Sequence, residues 1–229
     1  MLAQTQFLGA MLTVVYVKVI IAACTVARGF GLPVDISRKI IHIGACTFIL
    51  FWPWFDDSNN LYILNITVPL VYTIQLAYKG LILKDPNDED VRNMSRSGKP
   101  IDLCKGPLMF TCVMCYVGAF CFNREVGVAI MGALVGDGVA PLFGSRFGRH
   151  WFGPFPGQSS RKSIEGSLGV FLGTVAGTGV MLSFLQVADN GIELLNLVKL
   201  GGLVTVVEAI SPDEIDNLLI PLAVRLVYW

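Results

Sequence analysis

Residues 126–143 read VGVAIMGALVGDGVAPLF. These eighteen residues hold a single charge, Asp137, and meet no proline until Pro141. A helix that crosses the hydrocarbon core of a bilayer needs about 20 mostly apolar residues. The pattern recurs outward from this stretch. Apolar runs cover Leu8–Ala27, Ile36–Phe55, Leu61–Tyr78, Pro107–Phe122, Val126–Phe143, Gly166–Val187, Leu194–Ile210 and Asn217–Trp229. The expected fold is all-α, a polytopic transmembrane helical bundle of seven or eight spans, forming one domain over residues 1–229. The Pro107–Phe122 and Asn217–Trp229 runs are short, so one of them is expected to be re-entrant or tilted.

Composition agrees. The 229 residues are 54% apolar and 15% charged, with mean hydropathy +0.64. Soluble domains carry about 25% charged residues, and disorder requires low hydrophobicity. Both classes are excluded. Seventeen basic and seventeen acidic residues cancel, so no bulk charge points to nucleic acid. The first run does not read as a signal peptide: no basic residue precedes it, and Lys18 interrupts it. The six cysteines include one CxxC pair, Cys112 and Cys115, with no second pair or histidine pair beside it. They are expected to be small buried apolar residues rather than a disulfide framework.

The charges are sorted by connection. Thirteen of the seventeen basic residues fall between alternate runs: Arg28, Arg38 and Lys39; Lys79 to Lys105; and Arg146 to Lys162. The opposite turns hold only Arg124 and Lys199, beside Asp56, Asp57, Asp189 and Glu193. Lys18 and Arg225 lie within runs. The positive-inside rule makes the basic face cytosolic, or stromal in a plastid. The N-terminus is then expected on the other side.

Chemistry is expected on the basic face. Asp35-Ile-Ser37-Arg38-Lys39-x-x-His42 opens one helix, capped by Asp35 or Ser37. Arg38 and His42 share a face, and a helix N-terminus with cations suits phosphate. Lys39 is either part of that site or a membrane-surface anchor. The acidic run 85–90 reads as a solvated part of a long loop over 79–105. Asp137, flanked by Gly136 and Gly138, is a carboxylate at membrane depth, which marks function. The glycines permit close approach of backbone or ligand. Residues 144–165 combine glycines, hydroxyls and cations before a helix, as a nucleotide-phosphate loop requires. Arg161, Lys162 and Ser163 fall in it, and it is not a Walker A loop. Glu165 supplies either a carboxylate toward Mg²⁺ or a helix cap. With Glu208 and Asp216 returning to the same face, carboxylates and cations suit metal–nucleotide chemistry on a lipid head group. Gly169, Gly173 and Gly177 repeat every four residues and read as a packing stripe.

Seven elements occur in order: RKxxHI (38–43), SRSG (95–98), DLCKGPL (102–108), GDGVA (136–140), GSRFG (144–148), KSIEGS (162–167) and VEAISPDEIDNLLIPL (207–222). Together they resemble the phytol kinases, within the polyprenol kinase family that includes farnesol and dolichol kinases. The resemblance covers about residues 36–222. It implies an integral membrane kinase that transfers a phosphoryl group, commonly from CTP with Mg²⁺ or Mn²⁺, to an isoprenoid alcohol such as phytol, geranylgeraniol or farnesol. In phytol kinases this feeds tocopherol synthesis in the plastid. It implies catalytic roles for Asp137, Lys162 and Glu165. It places Arg38, Lys39, His42, Gly136, Gly138, Arg161 and Ser163 at the nucleotide, and Asp137, Glu208 and Asp216 at the metal. The bilayer and a membrane-complex partner are the further expected partners.

The family commonly reads GDGxAD, and Pro141 stands here at the last position. Two alternatives therefore stay open. One is a phosphatidate cytidylyltransferase-like enzyme, which also uses CTP. The other is a non-catalytic membrane subunit that retains the fold.

Overall fold

The computed structural model describes residues 2–58, 60–159, 161–187 and 193–227. Asp189, expected in an opposite-face turn, lies outside the described residues, as do Tyr228 and Trp229. Among the described residues the regular structure is helical apart from one hairpin of two two-residue strands. Among the described residues, five helices are long and apolar enough to cross a membrane: Gln4–Gly29, Asn60–Leu83, Pro100–Phe120, Glu125–Phe147 and Ile164–Leu185. Their outer faces carry exposed apolar side chains such as Phe7, Val15, Leu70, Ile74, Leu168 and Phe184, as expected of helices bathed in lipid rather than water. The chain forms two compact units, residues 1–122 and 123–229.

In the first unit, α1 (Leu2–Gly29) ends in a turn at Gly31, whose φ of 95° favours glycine. Pro33 then precedes α2 (Val34–Cys46). Neither Asp35 nor Ser37 caps this helix. Pro33 is the N-cap residue, Asp35 sits in the first turn and pairs with Arg38 at 3.5 Å, and Ser37 is buried. The expected single helix over Ile36–Phe55 is also divided. After Cys46 the chain tightens into a 3₁₀ segment, Thr47–Trp54. Pro53 lacks an N–H and its ring crowds the carbonyl four residues back, which removes an α-helical hydrogen bond there and favours the tighter turn. Another 3₁₀ segment, Asn60–Ile66, leads into α3 (Thr67–Tyr78) and a π-turn, Lys79–Leu83. Then come α4 (Glu89–Met94), a 3₁₀ turn at Pro100–Cys104 and α5 (Gly106–Phe120). The core joins Val17, Ile21 and Cys24 of α1 to Ile41, Val68, Leu76, Val91 and Leu103.

The acidic run proves ordered. Asp88 caps α4 by accepting from the Asp90 N–H at 2.9 Å. The Lys79 ammonium bonds Asp88 at 2.9 Å and Asp90 at 2.6 Å. Gln75 also donates to Asp90 at 2.8 Å. Residues 79–105 are thus largely short helical turns held by side chains. Periodicity cannot foresee this, because the contacts are not local.

In the second unit, α6 (Glu125–Phe147) is the most enclosed helix, buried at every residue from Gly127 to Gly138. Pro141 does not end it. It packs antiparallel on α7 (Ile164–Leu185), while α8 (Leu194–Ile210) and α9 (Asp216–Val227) complete the unit. Gly132, Gly136, Ala140 and Gly144 form a stripe of four-residue spacing on α6. It meets Thr178, Thr174, Val170 and Gly166 of α7. A Cβ on Gly136 would overlap Thr174 Oγ1 and lie 2.6 Å from the Val170 carbonyl oxygen. One on Gly132 would lie 2.7 Å from Thr178 Cα. The expected stripe at Gly169, Gly173 and Gly177 abuts Phe143, Val139 and Val135 beside this seam. Small residues on both helices bring the backbones together, as in membrane helix pairs.

All six thiols are free. Cys24, Cys46 and Cys121 are buried as expected, whereas Cys112 is exposed on α5.

Candidate active site

The second unit holds four of the seven motifs. After α6, the chain forms a hairpin in which β1 (Trp151–Phe152) pairs antiparallel with β2 (Lys162–Ser163). Strand β2 runs directly into α7. Ser163 is the helix cap: its hydroxyl accepts from the Gly166 N–H at 3.0 Å. Serine satisfies one of the free N–H groups at a helix start. Ser163 is 4% exposed, and its oxygen lies 3.2 Å from where a Cβ on Gly144 or Gly148 would sit.

Lys162 reaches α8. Its ammonium bonds the Glu208 carboxylate at 2.6 Å and also the Glu208 backbone carbonyl. Side-chain exposures of 17% and 9% put this pair out of bulk water, where an ion pair is strong but costly to break. The hairpin loop is strapped to the α8–α9 turn by further bonds. Gln158 Nε2 donates to the carbonyls of Ala209 (2.8 Å) and Ser211 (3.0 Å), and its Oε1 accepts from the Phe155 N–H at 2.9 Å. Asp213 Oδ2 accepts from the Ser159 N–H at 2.9 Å and from its hydroxyl. Gly157, at φ 85°, is pressed against Pro212. Gln158, Ser159 and Asp213 carry no periodic signal, although Asp213 belongs to the VEAISPDEIDNLLIPL motif. Only their position, just before KSIEGS and just after VEA, hinted at a junction.

Glu165 neither caps α7 nor stands open. Its Oε2 accepts the N–H groups of Arg149 (3.0 Å) and His150 (3.3 Å), and Oε1 pairs with His150 Nδ1 at 2.7 Å. It therefore fixes the exit of α6 onto the start of α7. Arg161 is exposed and bonds the Gly153 carbonyl at 3.3 Å. Asp137 is 2% exposed within α6. Gly136 beside it faces Thr174 of α7, so the approach it permits here is that of a helix. Gly138 is buried. Asp216 opens α9, where a carboxylate favours the helix dipole. Among the described residues, no group of three His, Cys, Asp or Glu side chains is gathered to hold a metal.

In the first unit, SRSG folds onto DLCKGPL. Asp102, 4% exposed, accepts from the hydroxyls of Ser95 (2.8 Å) and Ser97 (2.7 Å) and from the Ser97 N–H (2.8 Å), and it pairs with Lys105 at 3.2 Å. Two motifs that look separate are one knot. On α2, His42 stacks on Phe110 with ring centroids 4.2 Å apart. Arg38 and Lys39 are half-buried beside it in sequence.

Known proteins are similar to most of this chain. A probable chloroplastic phytol kinase of Oryza sativa subsp. japonica is 31% identical over 205 residues, which cover 84% of this chain and 63% of that protein. A probable chloroplastic phytol kinase of Zea mays is 31% identical over 206 residues, covering 84% and 65%. This chain belongs to the phytol/polyprenol kinase family. The chloroplastic farnesol kinase of Arabidopsis thaliana is 30% identical over 196 residues, covering 81% and 62%. The chain thus spans less than two thirds of the length of these polyprenol kinase relatives. No family profile matches the chain, and no solved structure does.

Proposed function

We propose that the chain is an integral membrane kinase that transfers the terminal phosphoryl group of CTP to the hydroxyl of an isoprenoid alcohol, phytol, geranylgeraniol or farnesol. The alcohol oxygen attacks the terminal phosphorus, CDP leaves, and the hydroxyl proton is lost. One observation supports the reading within the second unit: the Lys162–Glu208 pair joins two of the motifs that carry the resemblance, KSIEGS and VEAISPDEIDNLLIPL. The names of the relatives support the choice of alcohol.

In this reading Lys162 and Arg161 hold nucleotide phosphates, with Ser163 shaping the loop. Asp137, Glu208 and Asp216 would hold Mg²⁺, with Glu208 also orienting Lys162. These oxygen donors fit a hard cation that takes carboxylates and completes its shell with phosphate and water. When bound, the metal would neutralise charge on the phosphates. Catalysis is then positioning and charge neutralisation. We assign seven or eight spans, the basic face to the cytosol or stroma, and a plastid membrane as the site of action if the alcohol is phytol, in keeping with the chloroplastic relatives, with the endoplasmic reticulum or another organelle membrane as the alternative.

The test is an assay in nanodiscs with labelled CTP, and separately ATP, against phytol, geranylgeraniol, farnesol, dolichol and diacylglycerol. The expected product is a prenyl monophosphate with CDP, abolished by Asp137→Asn. Release of pyrophosphate would favour the cytidylyltransferase alternative. No product with any acceptor would overturn the kinase reading.

A further inference from the structure

Lys18 lies in the middle of α1, 11 residues before Gly29, or about 16 Å from that helix end. The span around it is strongly apolar. Lys18 is exposed to the surroundings of the helix and forms no ion pair among the described residues. A lone ammonium at such depth is costly unless something meets it.

Its neighbour is Tyr72 of α3. The Lys18 ammonium lies 5.6 Å from the centre of that ring, within cation–π reach. The Tyr72 hydroxyl oxygen is buried and has no hydrogen-bond partner. Leaving a buried hydroxyl unpaired also costs free energy. Tyr72, Gln75 and Lys79 share one face of the α3 span, at positions i, i+3 and i+7. The upper two are saturated, since Gln75 and Lys79 bond Asp90 and Asp88. The lower end is not: the Tyr72 oxygen can accept one ammonium N–H of Lys18, 5.6 Å from the ring centre, which still leaves the phenol O–H and the other ammonium N–H groups without an acceptor.

We propose that Lys18 and Tyr72 form a subsite for the hydroxyl of a long-chain membrane alcohol. The missing partner must bring lone pairs and must dissolve in hydrocarbon. An alcohol oxygen accepts from both the ammonium and the phenol, while its chain replaces lipid along α1 and α3. A phosphate-headed lipid would satisfy the ammonium but would carry a second charge to this depth. The identity of the alcohol as prenyl rests on the proposed kinase reading; the presence of a hydroxyl subsite does not.

The test uses the full chain in zwitterionic nanodiscs and a C20 prenyl alcohol that carries a diazirine. Wild type is expected to label saturably on peptides of α1 and α3, with unlabelled geranylgeraniol competing. Lys18→Met and Tyr72→Phe should each weaken probe binding about ten-fold, as loss of one hydrogen bond to a charged or buried group predicts. Lys18→Arg should retain it. In the kinase assay the two weakened variants should raise KM for the alcohol and leave KM for CTP unchanged. Tyr72→Phe removes one oxygen and keeps the ring, so it decides the matter if Lys18→Met misfolds. Labelling that neither variant alters overturns the subsite. So does labelling that phosphatidylglycerol displaces and geranylgeraniol does not. A wild type that labels in a Lys18-dependent way yet forms no phosphate ester would sink the kinase reading alone.

Discussion

At the scale of single residues, the Lys162–Glu208 pair separates a structural role from a chemical one. Lys162→Met leaves Glu208 as a shielded carboxylate without its cation. Thermal or denaturant unfolding in detergent should show a loss of about 2 kcal/mol, below the full cost of a deeply buried pair because both groups keep some exposure. The double variant Lys162→Met/Glu208→Met should recover most of that stability. If Lys162 also holds phosphate, the double variant stays inactive. Recovery of activity along with stability would reduce the pair to a brace. Asp102 offers a second test. Asp102→Asn replaces an oxygen that accepts three bonds from Ser95 and Ser97 with a weaker, half-donor group. Amide exchange across residues 95–99 should quicken about ten-fold or more. Unchanged exchange would mean that the loop is held by something else. Lys162, Glu208 and Asp102 were all visible in the sequence as motif members. Their partners were not, because Lys162 and Glu208 are 46 positions apart and no local spacing reports such a pairing.

At the scale of elements, the α6–α7 seam is the clearest case. Gly136 flanks the buried Asp137, and from sequence its small size suits a ligand. In the structure that space is filled by Thr174 and Val170. Gly136→Ala should therefore cost about 1–3 kcal/mol of stability by overpacking. Gly202→Ala in α8, where an added Cβ meets nothing within 4 Å, should stabilise by about 0.5–1 kcal/mol through helix propensity. Unfolding of the two variants side by side tests the seam, and equal effects would refute it. The helix over Val126–Phe143 was legible because eighteen residues with a single charge leave few other ways to satisfy the backbone in lipid. Its neighbour was not: a spacing of four glycines says that a helix approaches, without saying which one or in what register. The break at Cys46 was missed for a related reason. Hydropathy is blind to the difference between α and 3₁₀, and Pro53 acts only through geometry.

At the scale of the whole chain, charge sorting yields a topology that labelling can check. Ser58 lies in an opposite-face turn and Ser97 in a basic connection. On a background freed of native cysteines, Ser58→Cys and Ser97→Cys should react with a membrane-impermeant maleimide from opposite sides of sealed vesicles. Reaction of both from one side would overturn the assignment of seven or eight spans and its orientation. The sequence by itself determined the helical membrane class, the segregation of basic residues and the kinase family. These depend on composition and on short ordered motifs, which are properties of the linear chain. Tertiary structure alone decided what each polar group faces. It set Glu165 against His150 and two backbone amides, joined SRSG to Asp102, closed Gly136 against a helix, and left Lys18 beside an unsatisfied Tyr72. Those outcomes depend on packing between distant segments in a medium where every buried donor needs an acceptor, and that demand is met only once the chain has folded.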